Sequence, residues 1–226
     1  MTTTTNPRIY AACLASYNAG RLHGLWIDAT TDVDAMQAEI NAMLAASPEP
    51  NVTRANYHCD ACGAGHTYTR GAGEGFPESM ECPACDHMEK LQGKPFPSAE
   101  EWAIHDSEGL GDIGEYAGLE EVARRVAIVE AADDAGIPAA VLIEAMNDAG
   151  AEDPEDFISD QYDGTAETWK DFVQERADDC FDMSAVPAWL EGHIDWDSLA
   201  RDWEISGDWS AYRDGEFGEL YFFRTT

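Results

Sequence analysis

Lysine is almost missing from this 226-residue sequence: Lys90, Lys94 and Lys170 are the only three, and all bases together number 13 against 45 acids. The formal net charge is −32. A surface this negative is repelled by anionic lipid and by nucleic acid, so direct nucleic-acid binding and membrane binding are excluded and basic partners are expected. Long apolar runs are missing too. No 18-residue apolar stretch exists to cross a membrane, and the opening MTTTTNPRIY has neither the basic start nor the apolar run of a secretory signal. A cytoplasmic setting is expected. The glycine-rich GAGEGF (71–76) lacks the Lys-Ser/Thr ending and the following helix of a phosphate loop. DVD (32–34) and DWD (195–197) lack the Gly and closing Glu of a calcium loop. No Ser/His/Asp or Cys/His pattern stands out, and among 45 acids a hydrolytic carboxylate pair carries no signal. His23, His105 and His193 sit beside apolar residues as packed histidines do. The chain is not expected to be an enzyme.

What is present is enough to fold. Hydrophobic residues make up 44% and aromatics 10% of the chain, with seven Trp. Disordered chains combine high charge with few aromatics, and this one does not. The acidity is uneven. Residues 1–99 hold 11 acids and 6 bases, whereas residues 100–226 hold 34 and 7.

Periodicity predicts an α+β chain. RIYAACLASYN (8–18) alternates like a strand, NAG turns, and RLHGLWIDAT (21–30) returns. Thr31 is placed to cap a helix whose inner face is Met36, Ile40, Met43 and Leu44. EEWAIHD (100–106) reads as a third strand, and helices follow at 118–134, with Leu119, Val122, Val126 and Val129 inward, and at 138–149. A short acidic helix begins near Pro154. A longer one spans about 165–182, with Trp169, Phe172, Val173, Cys180 and Phe181 on one side. After a helix over 195–206 that buries Leu199 and Trp203, two strands close around Asp214-Gly215. These elements group into an α+β domain over 1–115, interrupted by a Gly-, Cys- and His-rich insert at 51–97. A helical domain over 116–160 and an α+β domain over 161–226 complete the chain.

The insert carries Cys59-x2-Cys62 and Cys82-x2-Cys85, nineteen residues apart, a zinc-ribbon-like spacing. Four thiolates complete a tetrahedron and leave no open position, so a structural Zn²⁺ is expected. Such an ion contributes about 10 kcal/mol or more to folding. Two disulfides are the competing reading and would need an oxidising compartment. His58, His66 and His87 are spectators beside a full thiolate set, and Cys13 and Cys180 are ordinary buried thiols.

The carboxylates ask for a different explanation. On the 165–182 helix, Glu167, Asp171, Glu175, Asp179 and Asp182 recur every three or four residues. Each like-charged step at that spacing costs a few tenths of a kcal/mol. A uniformly acidic, salt-adapted surface would not differ so much between the two halves. Imitation of nucleic acid would. Duplex DNA carries one charge per roughly 1.7 Å of its axis. A net charge of −32 is therefore that of about 54 Å of duplex.

The segments RIYAACLASYNAGRLHGLWIDAT (8–30), EEWAIHDSEGLGDIGEYAGLEEV (100–122), EDPEDFISDQYDG (152–164) and WLEGHIDWDSLARDWEISGDW (189–209) closely resemble the ArdA family of antirestriction proteins, which are DNA mimics. Where that family's pattern carries an aromatic such as Tyr, this chain has His193 and Trp196. The insert at 51–97 departs from the shorter family members. The resemblance implies an elongated, curved homodimer of small α+β and helical units, joined through its C-terminal unit by Trp189, Leu190, Ile194, Trp196 and Leu199. It implies a partner, a type I restriction-modification enzyme in a bacterial host, whose DNA groove the acidic surface fills while plasmid, transposon or phage DNA enters. The phosphate stand-ins would be drawn from Asp106, Glu108, Asp112, Glu115, Glu120, Glu121, Glu152, Asp153, Glu155, Asp156, Asp160, Asp163, Glu167, Asp171, Glu175, Asp179 and Asp182. The alternative is an acidic, zinc-ribbon-bearing adaptor for another basic or DNA-binding protein.

Overall fold

In the computed structural model, residues 6–180, 183–215 and 218–225 are described. Phe181 and Asp182, together with the Cys180 side chain, lie outside the described residues. Helices and strands intermix in small units, an α+β fold, and the chain divides into two compact units, Met1–Val126 and Ala127–Thr226.

The first unit begins with β1 (Arg8–Cys13), the short helix α1 (Leu14–Asn18), β2 (Gly24–Asp28) and α2 (Val33–Ala45). Four strands follow: β3 (Val52–His58), β4 (Gly65–Gly71), β5 (Ser79–Glu81) and β6 (Met88–Ser98). Then come β7 (Trp102–Glu108) and α3 (Leu119–Ala135), within which the two units meet along the chain. β1 is central in a three-stranded antiparallel sheet of order β2-β1-β7, with Ile9 opposite Ile27 and Ala11 opposite Ile104. Its neighbour Gly24 is dictated by close approach, because a Cβ there would stand 2.5 Å from the Ala11 carbonyl oxygen. Met36, Ile40, Met43 and Leu44 of α2 are buried in the same core, as their helical spacing predicts.

Three local expectations need correction. The first strand stops at Cys13, and Leu14–Asn18 form a helical turn in which the buried Ser16 hydroxyl meets that of Ser47 at 3.0 Å. Small residues at Ala15 and Ser16 let the turn pack closely, which alternation alone does not reveal. The cap of α2 is Asp32 rather than Thr31: its carboxylate accepts from the Ala35 N–H at 2.9 Å, because the helix starts one residue later. In α3, Val129 is only half-buried while Ile128 is fully buried. The helix serves two cores, Leu119, Val122 and Val126 lining one and Ile128 and Ala132 the other, so its apolar stripe does not run straight.

The second unit holds α4 (Ala139–Ala149), α5 (Pro154–Gln161), β8 (Tyr162–Ala166) and α6 (Trp169–Cys180). The short α7 (Ala188–Glu191), then α8 (Trp196–Ser206), β9 (Trp209–Arg213) and β10 (Leu220–Arg224) complete it. The helix expected from 165 begins only at Trp169, and residues 162–166 form an unforeseen strand that pairs with β10. Gly and Asp in YDGTA argue against a strand, but the ladder offered by β10 overrides that weak preference. β10 is central in the order β8-β10-β9 and is buried on both faces. Tyr221 and Phe223 pack with α4 and α5 residues, while Leu220 and Phe222 pack with α6 and α8. Phe172 stacks on Phe222 with ring centres 3.8 Å apart, and Trp203 stacks on Trp209 at 4.7 Å.

Candidate functional site

The insert builds a four-stranded antiparallel sheet, order β4-β3-β6-β5, and the cysteine pairs occupy turns at its end. Each turn closes the same way. Gly63 donates its N–H to the Cys59 carbonyl at 2.8 Å, and Asp86 donates to the Cys82 carbonyl at 3.0 Å. The residue after the second cysteine takes a left-handed conformation in both turns, Gly63 at φ 75° and Asp86 at φ 60°. Asp86 is the one non-glycine among the described residues with positive φ. That conformation costs an L-residue roughly 1–2 kcal/mol. Two turns that repeat this shape aim their sulfurs at one point.

The sulfurs of Cys59, Cys62, Cys82 and Cys85 all lie within 4.8 Å of one another. Cys59 Sγ stands 3.5 Å from Cys85 Sγ, and Cys62 Sγ stands 3.8 Å from Cys82 Sγ. A tetrahedral ion at about 2.3 Å from each sulfur separates neighbouring sulfurs by about 3.8 Å, whereas a disulfide brings them to about 2.05 Å. The arrangement therefore fits a metal and does not fit disulfides. Backbone N–H groups of Cys62 and Ala61 lower the Cys59 thiol to about 6, against the burial that opposes them. The four cysteines foreseen from spacing are thus brought together. Cys13 lies elsewhere, buried and hydrogen-bonded to Ser47 at 3.3 Å.

Beside them stands a group that sequence reasoning passed over. Glu89 on β6 is fully buried, and its Oε2 accepts from Nδ1 of His66 on β4 at 2.6 Å. Its Oε1 has no hydrogen bond of ordinary length and angle. Burial by itself would raise the Glu89 carboxyl; the Tyr68 hydroxyl and His66 reverse that and hold it below the usual range. In turn the Tyr68 phenol is pushed up to about 12, first by its interaction with Glu89. Glu89 stands opposite Met80 on β5, a pairing that no pattern in the sequence revealed.

The expected phosphate stand-ins separate into two classes. Asp106, Asp112, Glu115, Glu120, Glu152, Asp153, Glu155, Asp156, Asp160, Glu167, Asp171, Glu175 and Asp179 are exposed. Within that set, Asp153 caps α5 by accepting from the Asp156 N–H, and Asp179 accepts from Arg176 at 3.3 Å. Glu167 precedes α6, so among the described residues the acidic row on the helix begins at Asp171 and continues with Glu175 and Asp179.

Three others do not offer a free carboxylate. Glu108 binds Arg8 at 2.8 and 3.0 Å. Glu121 is gripped by Arg124 and Arg125, first by Arg124, which together keep its carboxyl below the usual range. Asp163 is buried at a register shift of β8 against β10, where it accepts from Trp209 Nε1 at 2.8 Å and from Arg224 at 3.0 Å, with Arg176 at 3.6 Å. Asp163 holds the second unit together from inside. Of the residues expected at a dimer contact, Trp189 and Leu190 are exposed, while Trp196 and Leu199 pack against their own unit's core and Ile194 is half-buried. Ile205 on α8, which the sequence pattern did not single out, is 74% exposed.

Among the described residues, no helix is long and apolar enough to cross a membrane. The family model described as "Antirestriction protein (ArdA)" matches residues 9–217. A search of curated proteins returns no match.

Proposed function

Because the chain belongs to the antirestriction protein (ArdA) family, we propose that it is a non-catalytic inhibitor whose exposed carboxylates take the places of DNA phosphates in the groove of a type I restriction-modification enzyme. One observation carries this reading. The second unit, residues 127–226, holds 26 acids and five bases, and four of those bases are already committed. Lys170 binds Asp197, Arg176 and Arg224 bind Asp163, and Arg213 donates to the Gly218 carbonyl. Most of the acid on this unit has no cation of its own, so a basic partner supplies what the fold withholds. The four cysteines would hold a Zn²⁺ in a structural role, fixing the insert's sheet. Trp189, Leu190 and Ile205 would supply apolar contact for a homodimer.

The test is competition. Purified protein is titrated into a type I enzyme bound to labelled DNA, over a range of salt. Displacement that weakens steeply with ionic strength supports the proposal. Undisturbed DNA binding at low salt, across the type I enzymes tried, would sink it for those targets. Replacing Asp156, Asp160, Asp171 and Glu175 by their amides, singly and together, sharpens the result. Single changes are expected to be nearly silent and the quadruple change to weaken inhibition cumulatively.

A second reading, an acidic adaptor that engages another basic protein through its cysteine-bearing sheet, is favoured by the compact four-sulfur cluster alone. Deletion of residues 51–97 separates the two, since inhibition persists if the mimic is correct and vanishes if the insert is the contact.

A further inference from the structure

We propose that Glu89 and His66 form a polar outer shell to the four-cysteine metal site that steadies its Cys82 ligand. The inference rests on the metal reading above. Glu89 has no relative exposure and one oxygen without a hydrogen bond of ordinary geometry. It lies in the interior of a small sheet, where an apolar residue of similar size would be more stabilising. A buried carboxylate kept in such a place has a role beyond packing. Its surroundings show which, for a carboxylate oxygen of Glu89, a ring nitrogen of His66 and the sulfur of Cys82 lie within 4.8 Å of one another.

A carboxylate only accepts, so His66 presents its Nδ1 hydrogen to Glu89 and the ring is locked in one tautomer and one orientation. The ring so held has a nitrogen within 4.8 Å of the Cys82 sulfur. Four thiolates around a divalent ion leave a charge of −2, and a ring whose orientation is fixed beside Cys82 holds that ligand's surroundings constant. Groups that steady ligands in this way shift metal affinity by about 10–100-fold. The 2.6 Å separation of Nδ1 and Oε2 is that of a charge-assisted hydrogen bond, and is shorter than two ligands of one ion would stand from each other. His66 and Glu89 are positioning residues and not ligands.

The full chain, purified with metal, is compared with Glu89→Gln, His66→Ala and a control, Glu74→Gln, at an exposed site in the same insert. Zn²⁺ affinity is measured by chelator competition, and the thiolate-to-metal charge-transfer band is recorded after Co²⁺ substitution. The expected result is one ion per chain in all four proteins, affinity about 10–100-fold weaker in Glu89→Gln and His66→Ala, and a displaced band in both. His66→Gln, which restores an N–H donor, should recover part of the loss. Unchanged affinity and band in both variants overturn the outer-shell role while leaving the metal site intact. Two ions per wild-type chain also overturn it, because His66 and Glu89 would then be ligands. Wild-type protein that binds no metal removes the underlying metal reading instead.

Discussion

Two small antiparallel sheets in this molecule are built on opposite plans. The cysteine-bearing sheet, β4-β3-β6-β5, has few large buried side chains, Tyr57 being the principal one, and converges on four sulfurs. The sheet β8-β10-β9 has no cysteine cluster among its described residues. It buries Leu220, Tyr221, Phe222 and Phe223 in a row and clamps them between two helical layers. The difference shows how each region copes with charge. A strand with aromatic layers on both faces leaves every helix exterior free to be acidic. A sheet with little core instead converges on one site where four cysteine sulfurs meet.

If the four cysteines hold the proposed Zn²⁺, its removal should break this comparison most sharply. Chelation, or paired Cys59→Ser and Cys85→Ser replacement, withdraws about 10 kcal/mol from the insert. Hydrogen exchange should then accelerate across residues 52–98 and stay slow across β10. Equal acceleration in both sheets would show that they do not differ as described. Next in size, Phe222→Ala leaves a cavity beneath Phe172, which now stacks on that ring. It should cost about 3–5 kcal/mol of the second unit's stability in denaturant titrations. The cysteine cluster's metal content should be unaffected.

Asp163→Asn removes the buried charge that Arg176 and Arg224 face, while Arg176 keeps its pairing with Asp179. It should cost about 3 kcal/mol, the low end for a broken buried pair, because Arg224 is partly solvated. Asp160, three residues away, is exposed. Asp160→Asn should change stability by no more than about 0.5 kcal/mol. Equal effects at the two positions, measured in the same denaturant titration, would erase the distinction between a structural and a displayed carboxylate. The smallest effect concerns acid. Glu121 is held below its ordinary value of 4.5 by Arg124 and then Arg125. Its contribution is complete above that value and disappears as pH falls through the lower folded-state value. Glu121→Gln should therefore flatten the stability profile of the first unit below about pH 4.5 and leave the slope at neutral pH nearly unchanged.

Much of this was legible in the residues. The spacing Cys59-x2-Cys62 and Cys82-x2-Cys85 announced the four-sulfur cluster because chelation by a two-residue turn is a local property. The 3.6-residue pattern of α2 named Met36, Ile40, Met43 and Leu44 because one helix face met one core. Failures came where a neighbour distant in sequence decided the outcome. YDGTA is a strand because β10 needs a partner, and Ile128 replaces Val129 as a core residue because α3 changes core partway along.

The sequence by itself determined the chain's charge, the ligand chemistry of its insert and the family to which it belongs, since these depend on which residues are present and in what order. Only the tertiary structure decided which carboxylates are turned inward. Asp163 and Glu89 look like any other acid in the chain, yet one is enclosed by two arginines and a tryptophan and the other by a histidine and a tyrosine. Burial and partnership come from contacts between segments far apart in sequence, and no local pattern encodes them.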